Sequence, residues 1–208
     1  DAVRRERYER MIEMGLVDKD WTLSDQDSMA WDDVPEEEKD TLDYRMAIYA
    51  AMVDRLDQNV GRLITRLKEL GEWENTLILF FADNGGCSEP HSQPFGSGPK
   101  EQLGTREGYF LTYGRSWANV SNTPFRFYKN YSHKGGSCTP LIAFWPDGIQ
   151  GENRISHDVG HFIDFMPTLS EVAGAEYPSE FSGERIHPMA GQSLLPILQG
   201  RSDERRDP

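Results

Sequence analysis

Asp83-Asn84-Gly85-Gly86 places two oxygen-bearing side chains side by side, directly after the apolar run Thr76–Ala82. Carboxylate and amide oxygens are hard donors that suit Ca²⁺ or Mg²⁺. The carboxyl end of a strand is where open α/β sheets bind their ligands. The same residues also fit a plain turn, since Asn-Gly is a favoured tight-turn pair. Two ligands fall short of calcium's need for about six to eight oxygens, so a metal held here draws most of its ligands from elsewhere. The second cluster is Lys129-Asn130-Tyr131-Ser132-His133-Lys134-Gly135-Gly136. Lys129, in a loop ahead of an apolar run, is either a point-charge clamp for an anion or a solvated surface lysine. Gly135-Gly136 allows close backbone approach or simply a turn. His91, His133, His157, His161 and His187 lack metal-ligand spacing and read as ordinary histidines. Cys87 and Cys138 are too few for a disulfide framework and read as free thiols, at least one of them buried. No Gly-x-Ser-x-Gly elbow, phosphate-binding Walker loop or dinucleotide fingerprint occurs. These residues alone name no reaction.

The elements that must carry these residues can be read from pattern. From Leu42 to Leu70, apolar residues recur alternately four and three apart, one stripe of a long helix. Asp33 with Glu36 reads as a capping pair, Pro35 as first-turn residue and Gly71 as the stop. Ile48, Met52 and Ile64 widen the stripe beyond a coiled-coil seam, which favours a globular packing helix. Thr76–Ala82 and Thr139–Trp145 read as strands buried on both faces, the parallel-sheet pattern. Arg154–Val159 reads as a third, short strand, His161–Ala173 as an amphipathic helix and Asp1–Gly15 as a short opening helix. Residues 17–33 read as loop anchored by Trp21 and Trp31, and the chain after Tyr177 as loop. Gly85–Arg115 is a long excursion of the kind that carries specificity. The sum is an α/β domain.

The chain has 208 residues, enough for one ordinary domain, and a net charge of −13. That charge argues against a nucleic-acid partner, whose footprint is basic. No Lys/Arg run suits anionic lipid, and no apolar run approaches a membrane span. No leader with an apolar core is present in these residues. Asn119-Val120-Ser121 and Asn130-Tyr131-Ser132 are formal glycosylation sequons that read best as chance occurrences.

Most of the chain resembles the sulfatase family, and bacterial arylsulfatases in particular. The resemblance lies in Tyr49–Asp54, Val60–Leu63, Gly71 with Asn75–Ile78, Ala82-Asp83-Asn84-Gly85, Ser121–Arg126, Tyr128-Lys129, Gly135-Gly136 through Thr139-Pro140, Asp164–Leu169 and Gly191–Pro196. It implies an alkaline-phosphatase-like α/β fold, the chain being a fragment of a larger mixed-sheet domain. It implies a hydrolase of sulfate esters, on small molecules or glycans, located in the periplasm or secreted. Asp83 and Asn84 correspond to two calcium ligands, and Lys129 to the lysine that contacts the sulfate oxygens. The family often carries Glu-Gly-Gly where Lys134-Gly135-Gly136 stands, so Lys134 adds positive charge there.

The family's nucleophile is a formylglycine made from Cys or Ser in Cys/Ser-x-Pro-x-Arg. Cys138-Thr139-Pro140-Leu141-Ile142 lacks the Arg, and Asn122-Thr123-Pro124-Phe125-Arg126 lacks the nucleophile. The early Asp pair and the upstream catalytic Lys and His are also missing. The resemblance therefore implies that residues 1–208 are part of a catalytic domain and inactive alone. Two alternatives are a phosphoester or phosphonate hydrolase of the same superfold and a non-catalytic binding domain derived from it.

Overall fold

The computed structural model describes residues 1–89, 99–108, 112–149 and 154–201. They form two compact units: the described residues of Asp1–Gly71 with Phe80–Ile142, and those of Glu72–Leu79 with Ala143–Pro208. Helices and paired strands both occur, so the fold is mixed α/β.

The first unit opens with helix α1 (Ala2–Glu13), whose chain then turns through Gly15. Arg4 on α1 is buried and donates to the carbonyl and hydroxyl of Ser24 at 2.8 and 2.7 Å. Helix α2 spans Glu36–Leu70 and ends on Gly71 at φ 74°, the left-handed conformation that a side chain disfavours. The expected Asp33–Glu36 capping pair does not form. Pro35 is the N-cap, and no side chain caps the helix. Glu36, Glu37 and Glu38 face the positive end of the helix dipole instead.

The packing-helix expectation for α2 holds most clearly near its start. Trp117 donates its indole N–H to the Leu42 carbonyl at 2.8 Å, Arg45 donates to the Thr112 carbonyl, and Tyr49 stacks on Tyr113 at 4.8 Å. Beyond Tyr49 the stripe is only partly covered: Met52, Val53, Leu56, Leu63 and Leu70 are about half exposed, while Val60, Ile64 and Leu67 are half-buried.

Strands β1 (Ile78–Phe81) and β2 (Leu141–Phe144) pair as a two-stranded sheet. Burial on both faces was the sequence expectation, and the structure corrects it. Phe80, Phe81, Leu141, Ile142 and Phe144 are exposed, and among the described residues the sheet has only these two strands. Between the strands come helix α3 (Arg115–Ser121) and the single turn α4 (Lys134–Ser137). The Gly85–Arg115 excursion lies partly outside the described residues.

In the second unit, residues 154–159 form no strand, another correction: Arg154 instead spends its guanidinium on the carbonyls of Ile197 and Leu198. Helix α5 (Phe165–Ala173) follows a 3₁₀ turn at Phe162–Asp164. The tail expected as loop contains a hairpin of β3 (Glu180–Phe181) and β4 (Glu184–Arg185) and a short helix α6 (Leu195–Leu198). Leu194, Ile197 and Leu198 form this unit's core, with Ala143, Ile149 and Phe165 against them.

Candidate functional site

The loop after β1 and the loop before β2 are stitched into one block. Gly85 N–H donates to the Gly136 carbonyl at 3.0 Å, and Lys129 N–H to the Gly86 carbonyl at 3.1 Å. Asn122, nearly buried, bridges both sides: its amide oxygen accepts from Gly86 N–H at 2.8 Å, and its amide nitrogen donates to the Phe127 carbonyl at 2.9 Å. The contact is so close that a methyl group on Gly85 would fall on the Gly135 carbonyl, and one on Gly135 on the Arg126 and Phe127 carbonyls. Gly-Gly at both places therefore serves close backbone approach and not only turning. Thr139 closes the block by donating to the Ala82 carbonyl at 2.7 Å.

A second set of bonds holds the backbone under Lys129. Tyr128 is fully buried and donates its hydroxyl to the Asp27 carboxylate. Arg115 meets the same carboxylate at 3.4 Å and lies over the Tyr128 ring, 5.5 Å from its centre. Asn119 adds a bond to Asp27 at 3.4 Å. Burial, and the acceptor beneath it, push the Tyr128 hydroxyl up to about 12, so it stays a donor across the ordinary pH range. Phe127 adopts φ 66°, uncommon for an aromatic residue. It is held there by the Asn122 bond, by stacking on Tyr131 at 4.7 Å and by the edge of His133 at 4.5 Å.

Asp83 is exposed and Asn84 half-buried. Asn84 donates its amide nitrogen to the Gly85 carbonyl at 3.0 Å, which orients the amide and leaves its oxygen as an acceptor. Asp83 and Asn84 are consecutive residues with hard oxygens, a donor type that would suit part of a calcium shell. Among the described residues no group of three His, Cys, Asp or Glu side chains is placed to hold a metal ion. Lys129 has an exposed side chain. Its charge reaches Glu89 and Cys87: the Glu89 carboxyl is held below its usual range, first by the Cys87 thiol that donates to it and also by Lys129. Burial pushes the Cys87 thiol up, and the Glu89 bond adds to that.

The structure therefore brings together the backbones that carry Asp83, Asn84 and Lys129. His161 caps the turn before α5 by accepting from Ile163 N–H, His133 packs on Phe127, and His91 lies outside the described residues. Neither cysteine is fully buried, against expectation; Cys87 is half-buried and Cys138 exposed. Asn119 is 2% exposed, so its sequon offers no accessible amide. Sequence reasoning missed Asn122, Tyr128 and Asp27. A buried polar bridge has no periodicity, and the only pointer to Asn122 and Tyr128 was their place inside stretches of resemblance.

Comparison with known proteins matches the sulfatase family over residues 18–175. An arylsulfatase of Klebsiella aerogenes is 32% identical over 215 residues, covering 98% of this chain and 46% of its own length. A sulfatase of Schizosaccharomyces pombe is 31% identical over 201 residues, 89% of this chain and 36% of its own. An N-acetylgalactosamine-6-sulfatase of Sus scrofa is 32% identical over 158 residues, 76% of this chain and 24% of its own. The chain spans less than half the length of each of these relatives. The helices and paired strands described above are consistent with the family's alkaline-phosphatase-like α/β fold. On the profile match and these identities, with the Asp-Asn-Gly loop and the lysine loop bonded into one block, the chain belongs to the sulfatase family.

Proposed function

We propose that the full-length protein containing this chain hydrolyses sulfate esters, and that residues 1–208 supply half of the active site. The observation that carries this is the bond from Lys129 N–H to the Gly86 carbonyl, which fixes the lysine's backbone beside the Asp83-Asn84 loop. In this reading the Lys129 ammonium binds the sulfate oxygens as a point charge and offsets the negative charge that grows as the S–O bond breaks. Asp83 and Asn84 would hold a calcium ion with ligands from outside these residues; bound there, the ion supplies Lewis-acid polarisation of the sulfate. Asn122 and Tyr128 position the two loops. The nucleophile comes from outside residues 1–208, since no Cys/Ser-x-Pro-x-Arg occurs within them.

The substrate is a small-molecule or glycan sulfate ester, and the protein acts in the periplasm or outside the cell; the family resemblance supports both statements. The experiment compares hydrolysis of nitrophenyl sulfate and nitrophenyl phosphate by the full-length protein. Preferential turnover of the sulfate supports the reading. Preferential turnover of the phosphate makes the protein a phosphoester hydrolase, and turnover of neither favours a binding domain.

A further inference from the structure

We infer that a groove beside α4 is a separate binding site for a ring that carries an oxyanion, either a sugar ring or an aryl ring bearing sulfate or carboxylate. The groove encloses about 430 Å³ and lies wholly within the first unit. That volume falls within the range of small-molecule pockets, about 300–1,000 Å³. Its walls are aromatic and cationic: Trp21, Phe125 and the His133 ring on one hand, Arg126 and Lys134 on the other.

The two chain segments that line the groove are tied to each other. Trp21 and Phe125 rings are 5.9 Å apart and tilted by 43°, and Ser24 N–H donates to the Pro124 carbonyl at 3.1 Å. The Lys134 ammonium lies 5.6 Å from the Trp21 ring centre and 6.0 Å from that of Phe125. Both rings thus hold it over the groove by cation–π attraction. An ammonium has three donors, and ring faces do not saturate them. Arg126 lies over Phe127 at 4.2 Å, which likewise orients its guanidinium without a carboxylate. Among the described residues neither Lys134 nor Arg126 forms an ion pair, although the chain carries 35 acidic side chains. Among the described residues Asp20 is the one carboxylate lining the groove, so two cations face one acid.

Aromatic faces beside cations select a ligand with the same two parts. A flat ring or the C–H face of a pyranose covers the aromatic wall, and an oxyanion takes the ammonium and guanidinium hydrogens. A bare inorganic anion would leave the aromatic wall uncovered. The inference does not depend on the hydrolytic reading, because Lys129 does not line this groove.

The test is a titration of the full-length protein labelled with 5-fluorotryptophan, the Trp21 resonance being assigned by its absence in Trp21→Phe. Glucose 6-sulfate and benzenesulfonate are the two ring probes, and inorganic sulfate is the ringless one. The expected result is a saturable shift of the Trp21 resonance with one or both ring probes. Whichever shifts it identifies the sugar or the aryl source. Lys134→Gln and Arg126→Gln, both changes of exposed side chains, should each weaken that binding about tenfold, the size of one charge-assisted hydrogen bond. The inference is overturned if neither ring probe moves the Trp21 resonance, if inorganic sulfate binds as tightly as the rings, or if both charge-removing variants bind like the parent protein.

Discussion

Asn122 bonds at once to the loop that carries Asp83 and Asn84 and to the loop that carries Lys129. Asn122→Ala strands two groups, Gly86 N–H and the Phe127 carbonyl, in a largely buried place. Each unsatisfied buried group costs about 1–3 kcal/mol, so the full-length protein should lose at least about 2 kcal/mol in urea denaturation. A loss under 0.5 kcal/mol, the scale of about a neutral surface change, would mean that the bridge does not hold the block. Tyr128 gives a pH signature. Its hydroxyl is raised from the ordinary phenol value to about 12 in the folded protein. The protonated hydroxyl is favoured by folding, so its contribution is fully present below the unfolded phenol value of about 10 and is lost as pH rises toward 12. Tyr113, also raised to about 12 by burial, adds in the same window. Stability against urea should fall between pH 10 and 12, and Tyr128→Phe should flatten part of that fall. At this scale the sequence made Asp83, Asn84 and Lys129 legible, because residue type and loop position signal exposed chemistry. Asn122 and Asp27 were illegible because their partners are distant in the chain: Asn122 reaches back 36 residues to Gly86, and Asp27 accepts from Tyr128 across 101.

Among the elements, α2 and α5 were found by period, and both end where glycine takes a left-handed turn, at Gly71 and Gly174. What period could not show is which face finds a partner. The α5 segment Asp164–Leu169 was read by resemblance, and its structural role is now concrete. Thr168 is fully buried; its hydroxyl donates to the Asp164 carbonyl at 2.6 Å and accepts from Leu194 N–H at 2.7 Å. Asp164 accepts from Gln192 N–H at 2.9 Å and from His161 N–H at 2.8 Å. Thr168→Val, nearly isosteric, should lower stability by about 1–3 kcal/mol through the unsatisfied Leu194 N–H. An unchanged denaturation midpoint would remove Thr168 as the tie between α5 and the Leu194 turn. The missed hairpin and α6 carried too few residues to show a period, and among the described residues 154–159 join neither sheet.

At the scale of the molecule, the exposed apolar stripe of α2 and the exposed β1–β2 sheet face go with a chain that spans 46% of the Klebsiella relative. We propose that residues 1–208 are part of a catalytic domain whose remaining chain covers these apolar faces. If so, Leu63→Asp, at a side chain 54% exposed here, should destabilise the full-length protein by about 2 kcal/mol or more, the scale of a core position. A change within about 0.5 kcal/mol would place Leu63 at a true surface. The net charge of −13 would oppose an anionic substrate at long range, so in the proposed reading its binding rests on local cations, Lys129 first among them. The most direct measurement is kcat/KM for nitrophenyl sulfate in the full-length protein and in its Lys129→Ala variant. Loss of a charge-assisted contact worth about 1.5–3 kcal/mol predicts a fall of roughly 10- to 150-fold. A Lys129→Ala enzyme as active as its parent would contradict the assignment of this loop block to the sulfate site.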